Sequence, residues 1–350
     1  MIATARLINV RLSDPLRPAA GSPQLRPLIL LRLETSDGLT GHGEAAPLEA
    51  YDSISTERTM AALERHQMVL KGLPGPTDPS ELREAVAACV TADPLPQALA
   101  AVDMALWDLI GRRSGLSVHE LLGANDQSPI PLNATIGAVA PAEAAAEAAA
   151  AQQAGFAALK VKVGTPDDRQ RLRAVRDAVG PGMLIRADAN GAWDRLTAPE
   201  RVRALARFDI ELFEEPVHGL EATESFTRVL PDVAVSLDES AGAALADGAR
   251  QLCSALCLKI SASGGISGLI ADAARARKLG YEVYVASTLD GPLGIAAALH
   301  AATVVLPDRH CGLATLGRLE RPVPAALQPV DGLMRAPAGP GLGDGLSDWY

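Results

Sequence analysis

The apolar positions of the first 45 residues follow strand-like patterns. Ala5-Arg6-Leu7-Ile8-Asn9-Val10 alternates, and Leu28-Ile29-Leu30-Leu31-Arg32-Leu33 is an apolar run closed by the turn signal Asp37-Gly38. These patterns predict strands, separated by a Pro/Gly-rich loop from about Ser13 to Pro27. A second loop, Ala46 to Ser55, follows Gly41-His42-Gly43-Glu44. Apolar residues then recur at three- and four-residue spacing, which predicts helices over Thr56 to Lys71, Ser80 to Val90 and Pro96 to Arg113. Strands followed by helices, without alternation, describe an α+β domain, here residues 1–125.

From about Ile130 strands and helices alternate. Asn133 to Ala138, Ala157 to Val163, Met183 to Asp188, Ile210 to Glu214, Val233 to Asp238, Ala255 to Ile260 and Glu282 to Ser287 read as strands. Each is followed by a helix-compatible stretch, including Pro141 to Gln153, Pro166 to Val179 and Pro292 to Val304. Asp308 to Leu313 is a short candidate eighth strand. Repetition at a period long enough for a helical crossover points to parallel strands closing into an α/β fold, a (β/α)7-8 TIM-like barrel over residues 126–320. A doubly wound sheet is the alternative, but the Gly-rich turn of its first unit is missing. Residues 321–350 are expected to return to the N-terminal domain.

Composition narrows the partners. The core must be built from aliphatic residues, since 48% of positions are apolar but only 3% aromatic. A net charge of −10, a sequence pI of about 5.2 and dispersed Lys/Arg make nucleic acid and anionic membranes poor partners. No run has the length of a membrane-spanning helix, and the start lacks a leader pattern, so a cytoplasmic location is expected. Four cysteines in 350 residues form no disulfide framework and read as buried thiols. The six histidines show no metal-ligand spacing. Ser261-Ala262-Ser263-Gly264-Gly265 reads as a loop needing positive φ, in preference to a phosphate cradle.

The charged residues change the picture most. Lys160 and Lys162 lie two apart on one strand and so share a face. Asp188, Glu214, Asp238 and Lys259 follow at intervals of 26, 26, 24 and 21 residues from Lys162, each at the C-terminal end of its strand, where such barrels carry their active sites. Three carboxylates on successive strands suit an oxygen-seeking divalent ion, Mg²⁺ or Mn²⁺, and the absence of His or Cys among them argues against zinc. A lysine is too basic to act as a base at neutral pH unless neighbouring positive charge lowers its pKa, a task Lys160 could perform for Lys162. Lys259 would approach from the other side. Opposed lysines and an oxygen-held cation form a layout for removing the proton α to a carboxylate of a small-molecule substrate.

Lys160-Val161-Lys162, Asp188-Ala189-Asn190, Glu214-Glu215-Pro216, Asp238-Glu239-Ser240 and Leu258-Lys259-Ile260 together resemble the signature of the enolase superfamily, in its muconate lactonizing subgroup. Gly41-His42-Gly43-Glu44 and Ala105-Leu106-Trp107-Asp108-Leu109 resemble motifs of its capping domain. The resemblance implies metal ligands at Asp188, Glu214 and Asp238, an acid/base pair at Lys162 and Lys259, and supporting roles for Asn190 and Glu239. It also implies that the loops Ser13 to Pro27 and Ala46 to Ser55 close over the substrate. Gly43-Glu44-Ala45-Ala46-Pro47-Leu48, Ser287-Thr288-Leu289-Asp290 and Cys311-Gly312-Leu313 are most similar to o-succinylbenzoate synthases, which dehydrate a hydroxy-carboxylate in menaquinone biosynthesis. Dipeptide epimerases, N-acylamino acid racemases and muconate-type cycloisomerases are the alternatives. The acidic pair that epimerases often carry near the eighth strand is replaced by Cys311-Gly312-Leu313. Asp290 stands either as a site-lining residue or as a cap for the helix after it. A non-catalytic metal-binding relative is the remaining reading, and self-association into a homo-oligomer is expected of such barrels.

Overall fold

The computed structural model describes residues 1–13, 25–124, 128–248 and 250–350. Strands β1 (Ile2–Arg11), β2 (Leu25–Glu34) and β3 (Thr40–Ala45) form an antiparallel sheet in that order. The first loop therefore ends by Leu25, and its residues 14–24 lie outside the described residues. The second loop is not featureless: it holds a one-turn helix, α1 (Glu49–Asp52). Helices α2 (Thr56–Lys71), α3 (Pro79–Ala92) and α4 (Pro96–Ser114) match the periodic stretches within two residues at each end. Their starts follow ordinary capping chemistry. The Ser55 side chain accepts from Arg58 N, Asp78 accepts from Ser80 N and Glu81 N, and Pro79 and Pro96 occupy first-turn positions.

The glycines of Gly41-His42-Gly43-Glu44 have a steric reason. A Cβ on Gly43 would sit 2.0 Å from Ala101 O and one on Gly41 2.3 Å from Ala105 O, so β3 lies directly against the backbone of the almost wholly buried α4. Only glycine permits that approach.

After α5 (Val118–Leu121) and the two-residue β4 (Ile130–Pro131), the barrel begins. Its strands are β5 (Asn133–Ile136), β6 (Ala158–Lys162), β7 (Leu184–Asp188), β8 (Ile210–Glu214), β9 (Val235–Leu237), β10 (Ala255–Lys259) and β11 (Glu282–Ala286), paired in parallel in sequence order. Between them run α6 (Pro141–Gln153), α7 (Asp168–Val179), α8 (Ala198–Ala206), α9 (Leu220–Val229), α10 (Ala241–Asp247) and α11 (Ile266–Lys278), with α12 (Pro292–Val305) after β11. The expected eighth strand shrinks to Cys311 and Gly312. These two bridge Leu132 on one side and Ala286 on the other, and Asn133 N donates to Cys311 O at 3.0 Å while Gly312 N donates to Val285 O at 2.8 Å. That is enough backbone pairing to join the two edges.

The C-terminal stretch ties the layers together. Leu333–Met334 forms β12 against β4, Leu342 N donates to Asp108 Oδ1 on α4, and Arg6 donates to Tyr350 O. The cap meets the barrel at α11, where Trp107 Nε1 donates to Ser267 Oγ and Asp103 accepts from Ser267 N. Gly265, at φ +106°, has no room for a Cβ, which would lie 2.6 Å from the Asp103 side chain. The glycine pair before α11 thus serves a tight βα loop and the domain contact. Among the described residues, no helix is long and apolar enough to cross a membrane. All four cysteines are buried and free.

Candidate active site

Strand alternation sends Lys160 and Lys162 on β6, Arg186 and Asp188 on β7, Glu214 on β8 and Cys257 and Lys259 on β10 into the barrel. Lys162, Asp188, Glu214 and Lys259 are the last residues of their strands, and Asp238 is the first residue after β9. Three strands separate β6 from β10 on one side of the barrel. On the other side lie β11, the Cys311-Gly312 bridge and β5. The two end lysines are therefore diametrically opposed, with the carboxylates on the arc between them.

Lys160 Nζ lies 2.9 Å from Asp188 Oδ2 and 2.5 Å from Glu214 Oε1, and Lys162 Nζ lies 2.5 Å from the same Asp188 oxygen. Lys259 Nζ is 2.8 Å from both oxygens of Asp238. Asp188, Glu214 and Asp238 are buried, so each must be answered by a cation. Burial pushes the Asp188 carboxyl up, but Lys160 and Lys162 outweigh it and hold it below the usual range. Burial raises Glu214, with Lys160 only partly opposing. Lys162 is lowered by burial, against Asp188, with Lys160 adding to the lowering. In Lys259 the opposite balance holds: burial lowers it, but Asp238 raises it further, and the net shift is upward.

Asn190, in a left-handed conformation at φ +46°, links the ladder to its surroundings. It accepts from Lys162 at 2.7 Å, donates to Glu239 Oε1 at 2.9 Å, and its N–H donates to Asp188 Oδ1. Glu215 works from behind. Burial lifts its carboxyl to about 8, and it accepts from Asp238 N at 2.8 Å and from the Ser240 hydroxyl. Asp290 is close enough to Lys259 for the two charges to bear on each other. It is fully buried, accepts from Thr288 Oγ1 at 2.7 Å, and is not among the residues lining the cavity beside Lys259. Nor does it cap α12, whose N-cap is Gly291 without a side-chain bond. It sits in a buried charge cluster with Glu44 and Arg26, and Arg26 holds the 46–55 loop through Ala46 O and Pro47 O.

The donor set fits a hard cation. An ammonium already stands between Asp188 and Glu214, and Glu214 Oε2 is buried with no partner among the described residues. Oxygens of Glu214 and Asp238 lie within 4.8 Å of each other and of Cys257 Sγ. Burial and the two carboxylates push the Cys257 thiol well above its usual range.

The matching family models span nearly the whole chain: the mandelate racemase/muconate lactonizing enzyme N-terminal domain over residues 2–123, and the enolase C-terminal domain-like family over residues 143–348. This protein belongs to the mandelate racemase/muconate lactonizing enzyme branch of the enolase superfamily. Its relatives in this branch are enzymes of several activities. Muconate cycloisomerase 1 of Rhodococcus opacus is 31% identical over 98% of this chain and 96% of its own. The o-succinylbenzoate synthase of Thermobifida fusca is 36% identical over 59% of this chain and 66% of its own. A dipeptide epimerase from Enterococcus faecalis V583, solved with Mg and the dipeptide L-Leu-L-Tyr, superposes with a TM-score of 0.87 at 26% identity, covering 98% of each chain. The chain is thus an enolase-superfamily enzyme.

Three residues near the ladder carry no motif that singles them out in the sequence. Cys257 and Arg186 are each two positions before a ladder residue, and the strand period alone places them on its face. Arg186 stacks 4.2 Å from the Tyr284 ring centroid, and Tyr284 Oη is 2.9 Å from Ser236 Oγ, forming part of the barrel interior. The third, Tyr51 of α1, reaches in from the capping domain, and no periodicity marks it.

Proposed function

We propose that this enzyme removes the proton α to a carboxylate of a small-molecule substrate, with Lys162 as base, Lys259 opposite it, and Asp188, Glu214 and Asp238 holding Mg²⁺. The observation that carries this reading is the pair of end lysines facing each other across the barrel, with three buried carboxylates between them. When bound, Mg²⁺ supplies charge neutralisation for the substrate carboxylate and for the negative charge that develops on it as the proton leaves. Lys160 bridges Asp188 and Glu214 and adds positive charge beside Lys162, which favours the neutral, basic form of Lys162. Asn190 orients the Lys162 amine through its 2.7 Å contact.

The net reaction we favour is dehydration of the o-succinylbenzoate synthase type. The two lysines are unequal: Lys259 is held as a cation between Asp238 and the Tyr51 ring, while Lys162 is the more readily deprotonated. Dehydration and 1,1-proton transfer both start from a neutral Lys162 and a charged Lys259; what favours dehydration is Cys311-Gly312-Leu313 in place of the acidic pair that epimerases often carry near the eighth strand. In dehydration Lys162 takes the α-proton, the electron pair expels the β-hydroxide, and the same proton returns to the hydroxide to release water, with Lys259 remaining charged throughout. The opposed placement of the lysines also suits 1,1-proton transfer, in which one removes the proton and the other delivers one to the opposite face. The likeness to a dipeptide epimerase solved with Mg supports that second reading.

Turnover in D₂O with three candidates separates the two: the hydrated precursor of o-succinylbenzoate, L-Ala-L-Glu, and an N-acyl amino acid. Loss of water from the first supports dehydration. Deuterium incorporation at the α-carbon of either of the others, without loss of water, replaces it with 1,1-proton transfer. No reaction with any of them sinks both.

A further inference from the structure

Tyr51 is a capping-domain side chain whose contacts reach both an end lysine and a candidate metal ligand. Its hydroxyl donates to Asp238 Oδ1 at 2.8 Å, and its ring centroid lies 3.7 Å from Lys259 Nζ. Lys259 Nζ in turn contacts both Asp238 oxygens at 2.8 Å, so the three side chains close a triangle. Lys259 ends β10 and Asp238 directly follows the neighbouring β9, whereas Tyr51 comes from the other domain. The same ring forms part of the wall of a cavity of about 240 Å³ shared with Glu239, His218 and Asp52.

The backbone that presents Tyr51 is pinned at several points. Asp52 accepts from Leu48 N, Ile54 N and Gln97 Nε2 of α4, at 3.3, 2.9 and 3.0 Å. Ser53 closes the turn in a left-handed conformation at φ +59°, and Arg26 grips the incoming strand through Ala46 O and Pro47 O. A one-turn helix fixed this thoroughly needs something to aim. A lysine has four rotatable bonds and an ammonium without directional preference, so the Asp238 contact alone leaves Lys259 free to swing about the carboxylate. The face of an aromatic ring supplies a second attractive surface from another direction.

We propose that Tyr51 is a positioning residue through which the capping domain sets the active geometry: its ring fixes the ammonium of Lys259, and its hydroxyl fixes the orientation of the Asp238 carboxylate. The inference rests on the proposed roles of Lys259 and Asp238 in the site. It makes the two halves of one side chain separable. Tyr51→Phe deletes the hydroxyl and keeps the ring, whereas Tyr51→Leu deletes both.

Three readouts on the full chain test it. Isothermal calorimetry with Mg²⁺ alone is expected to show about 10-fold weaker binding in both variants, the usual scale for losing a hydrogen bond that orients a ligand. In protein carrying ¹³C-lysine, the ring-current shift of the Lys259 Cε signal, assigned by its disappearance in Lys259→Arg, is expected to persist in Tyr51→Phe and vanish in Tyr51→Leu. With the hydrated precursor of o-succinylbenzoate at saturating Mg²⁺, kcat of Tyr51→Leu is expected to fall about 30-fold below that of Tyr51→Phe, the rate equivalent of losing a buried cation–π contact. An unchanged Lys259 signal in Tyr51→Leu overturns the role of the ring. So does a loss confined to KM, which would make Tyr51 a substrate contact only. Wild-type Mg²⁺ affinity in Tyr51→Phe overturns the role of the hydroxyl. If the wild-type chain binds Mg²⁺ but turns over none of the three candidate substrates, the reaction reading fails while the calorimetric and spectroscopic arms still decide the placement of Tyr51. Thermal melts of both variants establish that they are folded.

Discussion

A lysine becomes a base at neutral pH only when its surroundings disfavour the ammonium, and in the proposed mechanism the two lysines on β6 divide that task. Lys160 is spent on Asp188 and Glu214, and its charge bears on Lys162 from two positions away on the same strand face. Lys162→Ala is expected to lower turnover by about 10³-fold while leaving Mg²⁺ binding measurable by calorimetry, since its amine is the proposed base. Retention of full turnover would remove Lys162 from that role. Lys160→Met should act differently. Burial lowers Lys162 and Lys160 adds to that lowering, so removing Lys160 raises the pKa of Lys162. The base must be neutral to act, and the ascending limb of the kcat/KM profile should therefore move to higher pH. An ascending limb that stays in place, or moves down, contradicts the division of labour.

Elements in this molecule are held by close backbone approach where side chains would intrude. Gly43→Ala puts a methyl group 2.0 Å from Ala101 O, and β3 and α4 can relax only by separating. Urea unfolding is expected to show a loss of about 1–3 kcal/mol, the usual scale of overpacking a core, and an undiminished midpoint would mean that α4 shifts freely. At the α5–α12 junction, His119 and His300 stack with ring centroids 5.2 Å apart. His300 Nδ1 accepts from His119 N at 3.2 Å, so the fold requires that nitrogen unprotonated. Burial, with His119 adding to it and Asp108 and Glu120 opposing, lowers His300 from 6.5 to about 3. The unfolded chain thus binds a proton that the folded chain refuses between those two values, and stability falls as pH drops from 6.5 towards 3. Each such proton contributes a slope of about 1.4 kcal/mol per pH unit. His300→Asn, whose Oδ1 can still accept from His119 N, is expected to flatten the slope by about that amount in denaturant titrations. A slope identical to wild type would place the acid sensitivity in other groups.

At the scale of the whole molecule, a carboxylate ladder that holds Mg²⁺ as proposed would couple metal to fold, because a cation bound only by the folded barrel stabilises it by mass action. Melting temperature is expected to rise with Mg²⁺ concentration, by the equivalent of about 2.7 kcal/mol at a hundred times Kd, and to return to its starting value with EDTA. Insensitivity to Mg²⁺ together with a response to Zn²⁺ would contradict the oxygen-donor assignment. Much of this architecture follows from one-dimensional patterns. Period-two and period-3.6 spacings define the strands and helices, and a repeat of about 25 residues places Lys162, Asp188, Glu214, Asp238 and Lys259 at the ends of successive barrel strands. Such a ladder is legible because each rung is local to its own βα unit. Contacts between units are not. The eighth strand is only two residues because pairing with both neighbours, rather than any β propensity of its own, makes it a strand. Asp290, polar and next to a helix start, looks like a cap in the sequence, whereas in the fold it caps no helix and is buried with Arg26 and Glu44. Tyr51 sits in a stretch without periodicity and gains its place only when α1 docks over β9 and β10, 187 residues away at Asp238. The sequence by itself determined the barrel, its cap and the charged ladder, since these depend on spacing along the chain. Which cation faces which carboxylate, and what the cap lays against them, depends on distances through space, and only the tertiary structure decided those.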